Sequence, residues 1–367
     1  MRLLLFNLAT DADDPILGFT TGWINALARR VESVDVLTMR AGRLTTAPNV
    51  RVHSVGKEKG YSEPRRAAEF YRLLFRILRS ARPEACFSHM MPLFTAMAGP
   101  VLRWKKIPVV TWYAHPSLTT TLKVAHFFSD KMVASLPTAY PYKRDKLEVI
   151  GQGIDSALFA PDGSPPAQPP VILYAGRLSP VKDIETLLRA TVLLRQEYRQ
   201  PFHVVILGGP ATAADQTYAA RLREFVLQNA LEDVVRFEPP CPRAELPRWF
   251  NQCWLHVNLT PSGFGDKVAF EAMSCGRPCL VANRDFDSLL GPYAPELIFS
   301  PGDAEELCAR LRRVLGWSTE QHSRCGEYLR KEVKERHSLE GLADRIVRLL
   351  KEAQKARAEH PGKGGSE

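Results

Sequence analysis

At 367 residues, with 45% hydrophobic and 24% charged side chains, the chain is long enough for two cores of ordinary size and unlike a disordered or fibrous protein. The seven cysteines are odd in number and never paired as C-x-x-C, so they signal neither a zinc site nor a disulfide framework and fit a reducing compartment. The formal charge of +9 is one-sided: residues 1–150 hold 22 Lys and Arg against 12 Asp and Glu, while the rest hold 27 against 28. Such an excess points to an anionic partner for the first half, whether lipid surface, phosphorylated acceptor or nucleic acid.

The opening run Met1 to Ala9 reaches Asp11, Asp13 and Asp14 without the long apolar region of a leader, and reads as a first β-strand. No apolar stretch approaches the length of about 20 residues that spans a bilayer, so a cytoplasmic protein, at most peripheral to the inner face of a membrane, is expected. Strands are expected at 3–9, 34–39, 50–55, 85–90, 109–113, 132–135 and 147–150, with helices between them. The clearest helix is 64–81, where Phe70, Leu73, Leu74, Ile77 and Leu78 form one face and Arg65, Arg72, Arg76 and Arg79 lie elsewhere. The Pro-, Gly- and small-residue-rich segment 159–170 reads as a linker. A second alternation follows, with strands at 171–175, 204–207, 234–237, 255–259, 279–282 and 297–299. Short strands alternating with amphipathic helices predict α/β layers on parallel sheets, a Rossmann-like domain over 1–158 and another over 171–340. A last helix at 341–357 is expected to pack back toward the first domain, and 358–367, without large apolar residues, is expected to be disordered.

Two segments carry chemistry. Tyr174-Ala-Gly-Arg-Leu-Ser-Pro-Val-Lys182 leaves a buried strand, turns at Gly176 and enters a helix at about Asp183. Arg177 and Lys182 thus lie at the carboxyl end of a strand, where open α/β sheets bind ligands, and two cations there suit a diphosphate. The alternative is a solvated loop with surface charges. Thr260-Pro-Ser-Gly-Phe-Gly-Asp-Lys-Val-Ala-Phe-Glu271 runs from a strand through a glycine-bearing loop into a helix. Gly263 and Gly265 let backbone N–H groups turn toward an anion, and the helix adds the positive end of its dipole. Asp266 has the place of an N-cap. Glu271, one turn in, either accepts from a ribose diol or forms an i,i+4 pair with Lys267, worth about 0.2–0.5 kcal/mol.

Together the two segments resemble family-4 retaining glycosyltransferases, of the glycosyl transferases group 1, whose GT-B fold has two Rossmann-like doubly wound domains facing across a cleft. The first matches that family's Gly-Arg-Leu followed by Lys, and the second its Val-x-x-Glu-Ala-Met-x-x-Gly-x-Pro block. Gly151-Gln-Gly-Ile-Asp155 and Phe299-Ser-Pro-Gly-Asp303 agree as well. The resemblance implies a nucleotide-sugar donor held by Gly176, Arg177, Lys182, Gly263, Phe264, Gly265, Asp266, Lys267 and Glu271. Arg177 and Lys182 would bind its diphosphate and Glu271 its ribose, with transfer by retention, no metal and no cofactor. His115, in Trp112-Tyr-Ala-His-Pro-Ser117, matches a histidine that faces the donor sugar, against the alternative of a half-buried polar residue satisfied by backbone. Gly18 and Gly22 fall in the first strand-to-helix loop, where relatives have a glycine-rich turn beside donor phosphate and acceptor. One departure stands out. Many members have a Glu where this chain has Gly263, so the usual donor-sugar contact is missing, and Asp266 or backbone N–H groups are left to replace it.

In such enzymes the first domain holds the acceptor, a glycan or lipid-linked saccharide. Its cations, among them Arg66, Arg82, Lys105, Lys106, Lys143, Arg144 and Lys146, are expected either to face an anionic lipid or membrane or to form a solvated surface. Nucleic acid is not expected, since no recognised module or aromatic–basic repeat is present, and a nicotinamide enzyme would need a G-x-G-x-x-G after the first strand. The competing reading is a catalytically silent GT-B protein that binds a nucleotide or a partner.

Overall fold

The computed structural model describes residues 1–14 and 17–359. The chain forms two compact units, one from Met1–Gly153 with the segment beginning at Leu339, the other from Ile154–Ser338.

The first unit is built on seven parallel strands: β1 Arg2–Thr10, β2 Ser33–Ala41, β3 Val50–Ser54, β4 Ala85–His89, β5 Val109–Trp112, β6 Lys131–Ala134 and β7 Leu147–Val149. They lie in the order β3-β2-β1-β4-β5-β6-β7. Strand side chains alternate between sheet faces, and β1 shows the consequence directly. Leu3 and Leu5 pack with the helices Phe19–Ala28 and Leu339–Glu359, whereas Leu4 and Phe6 pack with Glu63–Ser80 and Pro92–Trp104. Both faces are covered, as a parallel sheet requires.

The second unit has five parallel strands: β8 Val171–Ala175, β9 His203–Leu207, β10 Val235–Glu238, β11 Leu255–Asn258 and β12 Cys279–Val281, in the order β10-β9-β8-β11-β12. No strand forms at 297–299: Ala294–Leu297 is helical, and Ile298 makes a single bridge to Val281.

The segment 159–170 does not connect the units; it packs within the second. Phe159 is fully buried, Ser274 Oγ donates to the Phe159 carbonyl at 2.7 Å, Asn251 Nδ2 donates to Ala160 O at 2.9 Å, and Ala167 N donates to Gln252 O at 2.9 Å. A segment without its own backbone ladder is held where neighbours take up its polar groups. The chain instead passes between units after Gly153 and after Ser338.

The last helix starts at Leu339 and continues to Glu359, taking in two residues of the expected tail; 360–367 lie outside the described residues. Leu342, Ile346, Leu349 and Leu350 enter the core beneath β1. Its polar flank is tied by Arg30 Nε to Asp344 Oδ1 at 2.6 Å and by Arg357 to both carboxylate oxygens of Asp130 at 2.7 and 2.8 Å. The C-terminal segment is therefore part of the first unit's core. Leu342→Ala is expected to lower unfolding stability by about 2–5 kcal/mol in denaturant titration. Lys351→Ala, on the exposed side of the same helix, is expected to stay within about 0.5 kcal/mol of the parent.

Candidate functional site

In the second unit the strand order reverses between β8 and β11, and the crevice beyond their carboxyl ends is where doubly wound sheets bind ligands. Both sequence motifs lead out of these two strands. Gly176 (φ +150°) follows β8 and Gly208 (φ +146°) follows β9; a Cβ on Gly208 would lie 1.9 Å from the Gly176 carbonyl oxygen. The two backbones approach so closely that position 208 admits no side chain.

Arg177 is half exposed, with Nε 3.8 Å from Asp215 Oδ2. Asp215 in turn accepts from the backbone N–H groups of Ala211 and Thr212 in the capping box that opens the helix Ala213–Gln228. Burial would raise the Asp215 carboxyl, but these N–H groups, the Thr212 hydroxyl and Arg177 hold it below the ordinary range. Asp215 is a partner of Arg177 that the sequence alone did not reveal.

Lys182 ends the short turn Pro180–Lys182, after which Asp183 at φ +45° leads into the helix Ile184–Glu197. Lys182 Nζ donates to Asp266 Oδ2 at 2.5 Å and to Thr260 Oγ1 at 3.1 Å. The same Asp266 oxygen also accepts from Thr260 Oγ1 at 2.7 Å and from Asn258 Nδ2 at 3.0 Å. Burial would raise the Asp266 carboxyl, yet the Lys182 charge and these hydrogen bonds keep it below its ordinary value. Asp266 does precede the helix Lys267–Ser274, but its side chain makes no cap bond, because the ammonium and two polar groups already take the carboxylate.

The loop between them is folded by the segment after β12. Ser262 Oγ donates to Asn283 Oδ1 at 2.9 Å, Asn283 Nδ2 donates to Phe264 O at 3.1 Å, and Gly263 N donates to Asp285 Oδ2 at 3.2 Å. Gly263, at φ +94°, occupies the left-handed region, and Gly265 does not. A glutamate at 263 in this loop shape would bear a backbone cost of roughly 1–2 kcal/mol, so the departure from the common family pattern and the loop conformation go together. The carboxylate beside the loop belongs to Asp285.

Glu271 lies one turn into the helix, its side chain only 2% exposed, with Oε1 2.7 Å from Arg243 Nη1. Arg243 also lies over the Phe159 ring at 4.8 Å. Glu271 thus pairs with Arg243, a partner that neither reading of its sequence position named. Lys267 is buried nearby and acts on Glu271 through its charge. Burial raises the Glu271 carboxyl against the pull of both cations, and burial, with the Arg243 charge, pushes the Lys267 ammonium well down. Arg243 comes from the loop after β10 and has no spacing relation to the helix that would reveal it.

The remaining candidates lie in the first unit. Gly18 immediately precedes the helix Phe19–Ala28; a Cβ there would sit 2.7 Å from Asp14 O, so close backbone approach accounts for this glycine. Gly22 is inside that helix rather than in a loop, and faces Leu339 at ordinary contact distance, which makes it a packing position. His115 is exposed beyond β5, its Nδ1 accepting from Ser117 N at 3.1 Å. At this sheet's own order reversal, between β1 and β4, His89 is buried with Nδ1 3.3 Å from Asn7 Oδ1 and its ring 4.6 Å from Trp23, an arrangement absent from the sequence motifs.

Residues 158–332 match the sequence profile of the family described as glycosyl transferases group 1. The chain is similar to D-inositol 3-phosphate glycosyltransferases of Thermomonospora curvata (29% identity over 181 residues, 42% of this chain and 41% of the relative) and Kineococcus radiotolerans (36% over 152 residues, 37% and 34%). It therefore spans less than half the length of these curated relatives. Among solved structures it resembles sucrose-phosphate synthase from Thermosynechococcus elongatus (TM-score 0.75, 18% identity, 97% of this chain and 100% of that one). It also resembles the Anabaena protein HepE solved with UDP-glucose (TM-score 0.75, 17% identity, 96% and 100%). The fold is GT-B.

Removing the Asp266 carboxylate would strand a largely buried ammonium and two polar groups. Asp266→Ala is expected to lower stability by on the order of 3 kcal/mol in denaturant titration. Because the Asp266 carboxyl is depressed in the folded chain, its contribution is present above the unfolded pKa and is lost as pH falls through the folded value. The parent and Asp266→Ala stability curves should accordingly converge at acid pH.

Proposed function

We propose, residues 158–332 belonging to the glycosyl transferases group 1 family, that the protein is a glycosyltransferase moving a sugar from a nucleotide-sugar donor to an acceptor hydroxyl. The observation that carries this reading is the convergence of Arg177, Lys182 and Glu271 on the loops that leave β8 and β11. Arg177 offers a planar fork to phosphate oxygens while Asp215 orients its Nε. Lys182 has three N–H groups; two go to Asp266 and Thr260, which leaves a third for a diphosphate oxygen. Glu271 keeps Oε2 for the ribose hydroxyls while Arg243 holds Oε1 and offsets the burial of the charge.

The chemistry follows from where charge develops. As the bond from the anomeric carbon to the diphosphate oxygen breaks, negative charge grows on the leaving group, and fixed cations and the N-terminal end of the helix Lys267–Ser274 stabilise it without a metal ion. The acceptor oxygen bonds to the same face of the sugar, so configuration is retained, and its proton passes to a leaving phosphate oxygen. Retention and a place for His115 beside the donor sugar rest on the family resemblance. The relatives named for D-inositol 3-phosphate and the one solved with UDP-glucose favour a nucleoside-diphosphate sugar and a phosphorylated or otherwise anionic acceptor, which agrees with the basic composition of residues 1–150. Gly263 favours a second reading, nucleotide binding without turnover. Nucleotide release measured over a panel of uridine- and guanosine-diphosphate sugars separates the two, since only an enzyme consumes donor.

Arg177→Ala is expected to cost about 1.5–3 kcal/mol of transition-state stabilisation, read as a fall in kcat/KM, with little loss of stability because the side chain is half exposed. Lys182→Ala should cost activity and stability together, since it also uncovers the buried Asp266 carboxylate. Unchanged kinetics in both variants would refute the donor site. Turnover is further expected to survive a chelator; loss restored by magnesium or manganese would contradict charge neutralisation by Arg177 and Lys182.

A further inference from the structure

The three helices Glu63–Ser80, Pro92–Trp104 and Thr120–Phe128 lie side by side in the first unit. Tyr71 Oη on the first donates to Met97 O on the second at 3.2 Å. Gly99 on the second lies against the Phe128 ring of the third, where a Cβ would come within 2.3 Å. Their inner faces fill the core in the ordinary way through Phe70, Leu74, Phe94, Leu102 and Leu122.

Their outer faces do not follow the same rule. Trp104 is 75% exposed, Phe127 61% and Phe75 51%, one large ring from each helix. Single exposed apolar residues need no explanation, but three aromatic rings on adjacent helices do. Each keeps particular company: the Arg103 guanidinium lies over Phe127 at 5.3 Å, Lys105 Nζ is 4.5 Å from the Trp104 ring, and Phe75 stacks on Tyr71 with exposed Arg79 on the same helix. Residues 85–129, which supply two of the three helices, contain no aspartate or glutamate at all, against Arg103, Lys105, Lys106 and Lys123. A solvated surface of that length ordinarily mixes both signs.

We propose that this three-helix face docks on an anionic lipid bilayer, with Phe75, Trp104 and Phe127 entering the headgroup region and the neighbouring cations meeting lipid phosphate. One ring comes from each of three helices, with a basic residue over the ring, beside it or one turn away. That spacing suits a fluid surface of mixed headgroup and acyl chain better than the single complementary pocket of a protein partner. Aromatic rings favour the membrane interface, and long basic side chains extend past them to the phosphates. No helix among the described residues is long and apolar enough to cross a membrane.

The test is co-sedimentation of the full chain with phosphatidylcholine vesicles, with and without phosphatidylglycerol, at low and high salt. Binding is expected to the anionic vesicles only and to weaken with salt. The triple variant Phe75→Ser, Trp104→Ser, Phe127→Ser should partition about tenfold less or weaker still, with an unchanged thermal melt because the positions are exposed. Brominated lipid should quench tryptophan emission in the parent and markedly less in the single variant Trp104→Ser, a readout that does not require the triple variant to fold. Equal partitioning to neutral and anionic vesicles, or quenching unaltered in Trp104→Ser, overturns the proposal. Capture of the chain by an acidic polypeptide without binding to either vesicle overturns it too, and assigns the face to a protein partner.

Discussion

One carboxylate oxygen, Oδ2 of Asp266, holds the second unit's site together. Lys182 reaches it from the loop after β8, and Asn258 and Thr260 reach it from β11 and the residues beyond. Parallel strands on either side of an order reversal share no connecting turn, so their loops diverge and need a side-chain tie to keep a common geometry. An ion pair removed from water is costly unless its remaining hydrogen-bond capacity is filled, and here two neutral donors fill it. Without that tie the position of Lys182 would be independent of the 262–266 loop and of the helix that follows it, which carries Glu271.

The same loops show where the fold accepts local cost. Gly176 and Gly208 allow two strand ends to meet at backbone distance, and Gly263 takes a left-handed conformation that brings its N–H to Asp285. Glu271 and Lys267 are both buried, each displaced from its ordinary pKa by desolvation, with Arg243 closing the cluster. Buried charges of this kind weaken a fold unless paired, and they concentrate where chemistry needs them.

The first unit uses its sheet differently. One face is completed by the last helix of the chain, whose Leu342, Ile346 and Leu350 lie in the same core as Leu3 and Leu5. The opposite face carries the row of helices with exposed rings. The helices Pro92–Trp104 and Thr120–Phe128, which come from the acid-free segment 85–129, pack on the sheet face opposite the one that the C-terminal helix covers.

Short apolar runs located all seven strands of the first sheet and the five of the second to within two residues, along with one at 297–299 that does not form, because strands buried on both faces read as near-continuous apolar runs. That Arg177, Lys182 and Gly263 lie just beyond strand ends was legible for a related reason: each is a short distance in sequence from its strand, and local chain direction decides where it goes. Tertiary structure decided what no spacing encodes. Arg243 joins Lys267 at Glu271, because a carboxylate beneath a loop is paired by whatever cation that loop brings over it. Asp266 binds Lys182 instead of capping its helix, because a charged partner across the crevice outcompetes a backbone N–H. The segment 159–170 read as a linker from its prolines, and Gly22 as a loop glycine from its place in the chain, but packing put both inside compact units. Sequence by itself thus determined the order of elements and the chemistry available at their ends. Which side chains share a proton, a charge or a wall depended on strands far apart in the chain being adjacent in the sheet, and only the folded arrangement supplies that adjacency.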